Sequence, residues 1–173
     1  DPGLRLLYDY WLTLADEDMG LPSVQRFDPL HLPKLLPNVW ILEVEPATHR
    51  FRMRLTGENI NAIYGRSIAG LYFKEVFQPG DVEIIVARYT RALSEPSIFH
   101  ASGMVYAAGG SLTVGERLGL PMLGRERRTN TLLGATVYRS PLDKIAAVRL
   151  SDAQPHFHLI RAANHQAVEI AGG

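Results

Sequence analysis

The apolar residues of the chain change their spacing several times, and each change marks a new element. Near the start, Leu4, Leu7, Trp11 and Leu14 recur every three or four positions, while Asp9, Thr13 and Asp16 take the opposite side. That spacing predicts an amphipathic helix, with Asp1 as its cap and Pro2 at its first position. It closes before Gly20-Leu21-Pro22. Asp28-Pro29 repeats the cap signal, but Pro33 and Pro37 hold that stretch to a turn or two. From Val39 the period drops to two: Trp40, Leu42 and Val44 alternate with Ile41, Glu43 and Glu45. After the turn Pro46-Ala47-Thr48, Phe51, Met53 and Leu55 alternate with Arg50, Arg52 and Arg54. The pair reads as a hairpin.

Thr56 stands where it can cap a short helix with Ile60, Ile63 and Tyr64 on one face and Gly65 as its stop. Leu71 to Phe77 is a second short helical piece. Pro79-Gly80-Asp81 opens the longest internal helix, with an apolar stripe of Val82, Ile85, Val86, Tyr89 and Leu93. Glu83, Arg88 and Arg91 form its wet side. Glu95-Pro96 stops it. Three strands follow, over 97–107, 111–123 and 130–139, joined by turns at 108–110 and 124–128; direct hairpins imply antiparallel pairing. The tail after Pro141 is ambiguous, and His156 to Ile160 suits a short strand or a helix. The expected architecture is α+β: a five-stranded antiparallel sheet, a helical insert on one face, and an N-terminal helix for the other face or for a partner. Residues 1–140 form the expected domain, with 141–173 as an extension packing on it.

Composition narrows the function classes. A length of 173 residues fits one domain, and 46% hydrophobic with 21% charged residues is ordinary for a globular chain. The net charge is zero, so there is no basic excess to attract nucleic acid or an anionic membrane. Cysteine is absent, which excludes disulfides, thiolate metal sites, iron–sulfur clusters and cysteine nucleophiles. A cytoplasmic location is the simplest expectation. No apolar run reaches the ~20 residues that span a bilayer. The start lacks an initiator Met and a signal pattern, as a trimmed or processed chain would.

Several motifs point to a family. Leu7-Tyr8-Asp9-Tyr10-Trp11, Leu21-Pro22-Ser23, Phe27-Asp28-Pro29 and Leu35-Leu36-Pro37-Asn38 resemble the opening of a PAS-like family common in alphaproteobacteria. Phe51-Arg52-Met53-Arg54-Leu55-Thr56-Gly57 and Tyr64-Gly65-Arg66-Ser67-Ile68-Ala69-Gly70 resemble its middle. The strand Gly115-Glu116-Arg117-Leu118-Gly119-Leu120-Pro121-Met122 is similar to the family's Glu-Arg-x-x-x-Pro-Leu strand, with Met122 in place of Leu. The resemblance spans residues 7–139. It implies a PAS fold, sensing of a small molecule or association with a signalling partner protein, and frequent homodimers. It implies no substrate.

Candidate site residues follow from the pattern. A pocket between the long helix and the sheet is expected to be lined by Tyr64, Tyr89, His100 and Tyr106; the alternative is that these rings only fill the core. Glu116 interrupts an apolar face of Leu112, Val114, Leu118 and Leu120, and a carboxylate there calls for Arg54 or Arg117 as partner. Such a pair would orient a polar ligand or fix the packing of the sheet; equally, Glu116 lies on an outer face that the first helix covers only in part. Haem held by a long-helix histidine is disfavoured, because residues 81–95 contain no His, and a cysteinyl–flavin adduct is excluded. His156 and His158 share a strand face that suits a transition metal, with no placed third ligand; no resident cofactor or metal is expected. The stripe of Leu4, Leu7, Trp11 and Leu14 is the expected homodimer surface. Motifs for a nucleophile elbow, a phosphate loop or a zinc protease are missing. The rival to a sensor is a ketosteroid-isomerase-like enzyme, for which Glu116 and Tyr106 are the only base and oxyanion pair available.

Overall fold

The computed structural model describes residues 1–15, 20–108, 111–138, 154–160 and 167–169. Helix α1 (Pro2–Thr13) begins where the sequence predicts, with the Asp1 carboxylate accepting from the amides of Gly3 and Leu4 at 2.7 and 3.3 Å. Strands β1 (Val39–Val44) and β2 (Phe51–Thr56) form the expected hairpin. Helices α2 (Glu58–Tyr64), α3 (Phe73–Val76) and α4 (Pro79–Ser94) follow, then β3 (Ser97–Ala108), β4 (Ser111–Leu123) and β5 (Thr129–Tyr138). Gly57, rather than Thr56, is the cap of α2. Gly65 ends that helix in the left-handed region at φ 63°, a conformation that favours glycine because a Cβ would crowd the backbone.

The sheet is wider than expected. Strands β6 (Gln154–Ile160) and β7 (Ala167–Glu169) extend it beyond β3, giving seven strands in the order β2-β1-β5-β4-β3-β6-β7, with every neighbouring pair antiparallel. The tail was ambiguous in the sequence because β6 is short and its pairing partner lies more than fifty residues upstream. Its Phe157 packs edge-on against Phe99, with ring centres 5.5 Å apart, and beneath the Arg91 guanidinium.

Alternation divides the sheet into two cores. On one face, Trp40, Leu42, Phe51, Met53, Phe99 and Leu132 meet Ile60, Phe73, Ile85, Tyr89 and Leu93 from the helical insert. On the other, Val39, Ile41, Ile98, Leu118, Leu120, Met122 and Leu133 meet Leu4, Leu7 and Trp11 of α1. The burial of Ile85, Tyr89, Ala92 and Leu93 follows the three-and-four spacing of a helix face. At Arg54 the β1–β2 register slips by one residue, a bulge that lets Leu55 join one core while Met53 joins the other.

α1 is anchored by more than its stripe. The Trp11 indole donates to the Pro121 carbonyl at 3.1 Å, and Arg26 donates to the Leu14 and Ala15 carbonyls at the helix end. No described helix is long and apolar enough to cross a membrane.

Candidate functional site

The expected pocket lies between the helical insert and the sheet, and it is small. Trp40, Tyr64, Phe73, Phe77 and Tyr89 contribute aromatic walls, aliphatic side chains complete them, and among the described residues of the lining Arg117 is the one that is charged. The cavity holds about 20 Å³, room for about one water. Tyr89 sits at the centre of a ring cluster, with Trp40, Phe73 and Phe99 at 5.8, 6.1 and 5.5 Å. Tyr64 and Phe77 are only partly buried and meet edge-on at 6.2 Å. These two rings stand at the mouth.

Trp40 reaches its position because the sheet beneath it lacks side chains. Gly134 pairs with both Trp40 and Gly119. A Cβ on Gly134 would lie 2.2 Å from the Trp40 ring, and one on Gly119 would touch the same ring at 3.4 Å. Two glycines therefore form a notch in which the indole is seated.

The polar centre is Arg117, 8% exposed, on the cavity side of β4. Its Nε donates to Thr136 Oγ1 at 3.1 Å, one terminal nitrogen donates to the Tyr89 hydroxyl at 3.2 Å, and the other to the Val105 carbonyl. Thr136 Oγ1 also accepts from the Trp40 indole at 3.0 Å. One guanidinium thus joins β4 to β3, β5 and α4. Arg88 on α4 is half-buried beside it. Burial holds the Arg88 guanidinium below its ordinary value, the Tyr89 phenol opposes that, and the Arg117 charge adds to it.

The predicted residues divide between the two faces. Tyr64 and Tyr89 line the cavity. His100 and Glu116 do not: they lie on the α1 face, where Glu116 Oε2 is 3.5 Å from His100 Nε2 and 3.1 Å from the ammonium of Asp1. The Glu116 side chain keeps a third of its surface exposed, as on the face that α1 covers in part. The hydrogen bond from that ammonium lowers its pKa first, burial opposes the shift, and His100 adds to the lowering. Glu116 pairs with neither Arg54 nor Arg117, because Arg117, one residue on, points to the opposite core. Arg54 stands at the bulge outside the cavity lining, and its Nη1 is buried with no hydrogen-bond partner. Tyr106 lies in β3 opposite Thr113, and its side chain falls outside the described residues.

The stripe expected at a homodimer surface faces the chain's own sheet. Leu4, Leu7 and Trp11 are buried against their own sheet and Leu14 packs partly on the same core, so exposing them to a partner would open the domain. Among the described residues, no group of three His, Asp or Glu is arranged to hold a metal.

Sequence reasoning missed Arg117 as a cavity residue. The signal was present: in Gly115-Glu116-Arg117-Leu118-Gly119 it alternates with Glu116 and Leu118, so it had to face the insert if they faced α1.

This geometry, a helical insert and an antiparallel sheet around an aromatic cavity, agrees with the family comparison. The model of a family described as PAS domain matches residues 1–137. The chain belongs to the PAS domain family. Neither a curated protein nor a solved structure matches it. As a PAS domain it is a sensory or interaction module, and the matched span ends within β5, ahead of the two added strands.

Proposed function

We propose that this PAS domain senses a small molecule in the aromatic cavity and has no catalysis of its own. One observation carries the reading: Arg117, in the cavity wall, is hydrogen-bonded at once to α4 through Tyr89, to β5 through Thr136 and to β3 through Val105. A guest larger than a water must part Tyr64 from Phe77 and displace the rings around Tyr89. That displacement pulls on Arg117 and reaches β4 and β5, on whose far face α1 packs. The output belongs to a signalling partner protein that reads the change at α1.

A thermal-shift screen of the whole chain against a broad library of small organic molecules tests this. Compounds that raise the melting temperature, and do so less in Tyr89→Phe, support it. A screen in which no compound responds overturns it and leaves association by a permanently packed domain.

The isomerase-like rival loses its pair. Glu116 faces Ser102 in register while Tyr106 faces Thr113, three positions or about 10 Å along the strand. A base for that chemistry also gains from a raised pKa, and that of Glu116 is lowered.

A further inference from the structure

We infer that the ligand of this cavity is a neutral carbonyl compound, a ketone, aldehyde or ester on a flat apolar body, whose oxygen accepts from the Tyr89 hydroxyl. The inference rests on the reading of the cavity as the sensing site and names the class of molecule sensed.

Its basis is a buried proton with no acceptor. Tyr89 is 5% exposed and lines the cavity. A phenol both donates and accepts. The Tyr89 oxygen accepts from Arg117 at 3.2 Å, and among the described residues no oxygen or nitrogen takes its proton in return. The hydroxyl lies where two lining residues meet, so its O–H is at the cavity wall. The Trp40 indole, in the same lining, is already committed to Thr136 Oγ1. Polar groups sealed from water are nearly always satisfied, so a donor left over beside a cavity marks where a bound molecule completes the bond. The N–H that this phenol accepts comes from a guanidinium, which polarises its own O–H; bonds in such a chain strengthen one another.

The same lining sets the class of the guest. Rings and aliphatic chains favour a flat apolar body through stacking and edge contacts. One hydroxyl suffices for a ketone or ester oxygen. A carboxylate brings a charge and two oxygens, more than one phenol satisfies, while Arg117 is already tied to Thr136, Tyr89 and Val105. An alcohol or amide would carry a donor of its own into a lining made mostly of hydrocarbon. Space for the guest must come from Tyr64 and Phe77, the two partly buried rings of the lining, which limits it to a single ring. A water is the natural competitor for the hydroxyl, and a guest oxygen that displaces one must keep its hydrogen bond.

Acetophenone is the probe, α-methylstyrene its isostere with a methylene in place of the oxygen, and benzoate its charged counterpart. Calorimetry and ligand-observed NMR on the whole chain give the ratio of ketone to alkene affinity. Tyr89→Phe should lower that ratio about fivefold, the size of one hydrogen bond, by weakening the ketone and sparing the alkene. Because Tyr89→Phe also takes a partner from Arg117 and can unsettle the fold, a second measurement uses the unaltered protein. The carbonyl stretch of bound acetophenone, labelled with carbon-13, should fall below its value in an apolar solvent. A stretch equal to the apolar-solvent value, or a ratio unchanged by Tyr89→Phe, overturns the carbonyl class and leaves the cavity as a sensing site. Tighter binding of benzoate than of acetophenone overturns that class too, in favour of an anion. No binding of any of the three at millimolar concentration removes both readings.

Discussion

The two faces of one sheet are built on different principles, although the strands are shared and adjacent residues serve opposite sides. The α1 face is closed largely by aliphatic packing, with Leu7, Leu120 and Leu133 fully buried and an indole-to-carbonyl bond at Trp11. The face under the helical insert contains the ring cluster, the cavity and a buried guanidinium bonded to three elements. Aliphatic contacts are non-directional and tolerate small shifts. A hydrogen-bonded charge in a ring cluster has few arrangements and registers any displacement. The first face is plain packing; the second carries the network on which the proposed response rests.

The largest expected effect breaks the supporting face. Trp11→Ala removes a 2% exposed side chain and should cost about 3–5 kcal/mol, read as a lower urea midpoint. An unchanged midpoint would mean that α1 docks on the sheet without contributing to the fold.

Thr136→Val tests the responding face with almost no change in shape. It removes the one oxygen that accepts from both Trp40 and Arg117, and stranded buried donors should cost about 2–4 kcal/mol in total. A loss no larger than that of a surface Thr→Val control would show that water replaces the hydroxyl and that the network is looser than drawn.

Gly134→Ala probes the notch. The added methyl meets Trp40 at 2.2 Å, and the overpacking should cost about 1–3 kcal/mol. It should also shift the resonances of Tyr89 while leaving those of Leu4 and Leu7 in place. Spread of the shifts to α1 would join what the comparison separates.

The smallest effect is electrostatic. The pKa of Glu116 is lowered in the folded chain, so its contribution is present at neutral pH and fades as the pH falls through that lowered value. Glu116→Gln should flatten the acid limb of the melting curve by less than about 1 kcal/mol, as befits a partly exposed pair. An acid limb identical to that of the unaltered chain would leave Glu116 without an energetic role.

Much of this division was legible in the sequence. The apolar stripes of α1 and α4 and the alternation of β1 and β2 mark the elements and even the faces they bury. Position along the chain could not decide which face was which. Glu116 interrupts an apolar face and drew attention as an oddity, yet it lies where that face runs out from under α1. Arg117 entered the sequence reading only as a candidate partner for Glu116. It is buried because the insert covers that side, a fact of tertiary structure with no local period. Strand β6 stayed open between strand and helix for a similar reason, since it gains its pairing from the distant β3, and β7, which pairs with β6, was not expected. Leu4, Leu7 and Trp11 were read as an apolar stripe for the chain's own sheet or for a second copy, and the structure buries them on their own sheet, since a stripe alone does not say whose surface it covers.

The chain has two tryptophans, and the fold places one in each core. Trp40 lies in the cavity wall and Trp11 beneath α1, both nearly sealed from solvent. The molecule therefore carries an intrinsic optical label on each side of its sheet. With Trp11 replaced by Phe, the remaining emission reports the cavity; with Trp40 replaced, it reports the helix that would relay the signal. A guest that dims the first and, in the same mixing time, shifts the second would make transmission across the sheet visible as light.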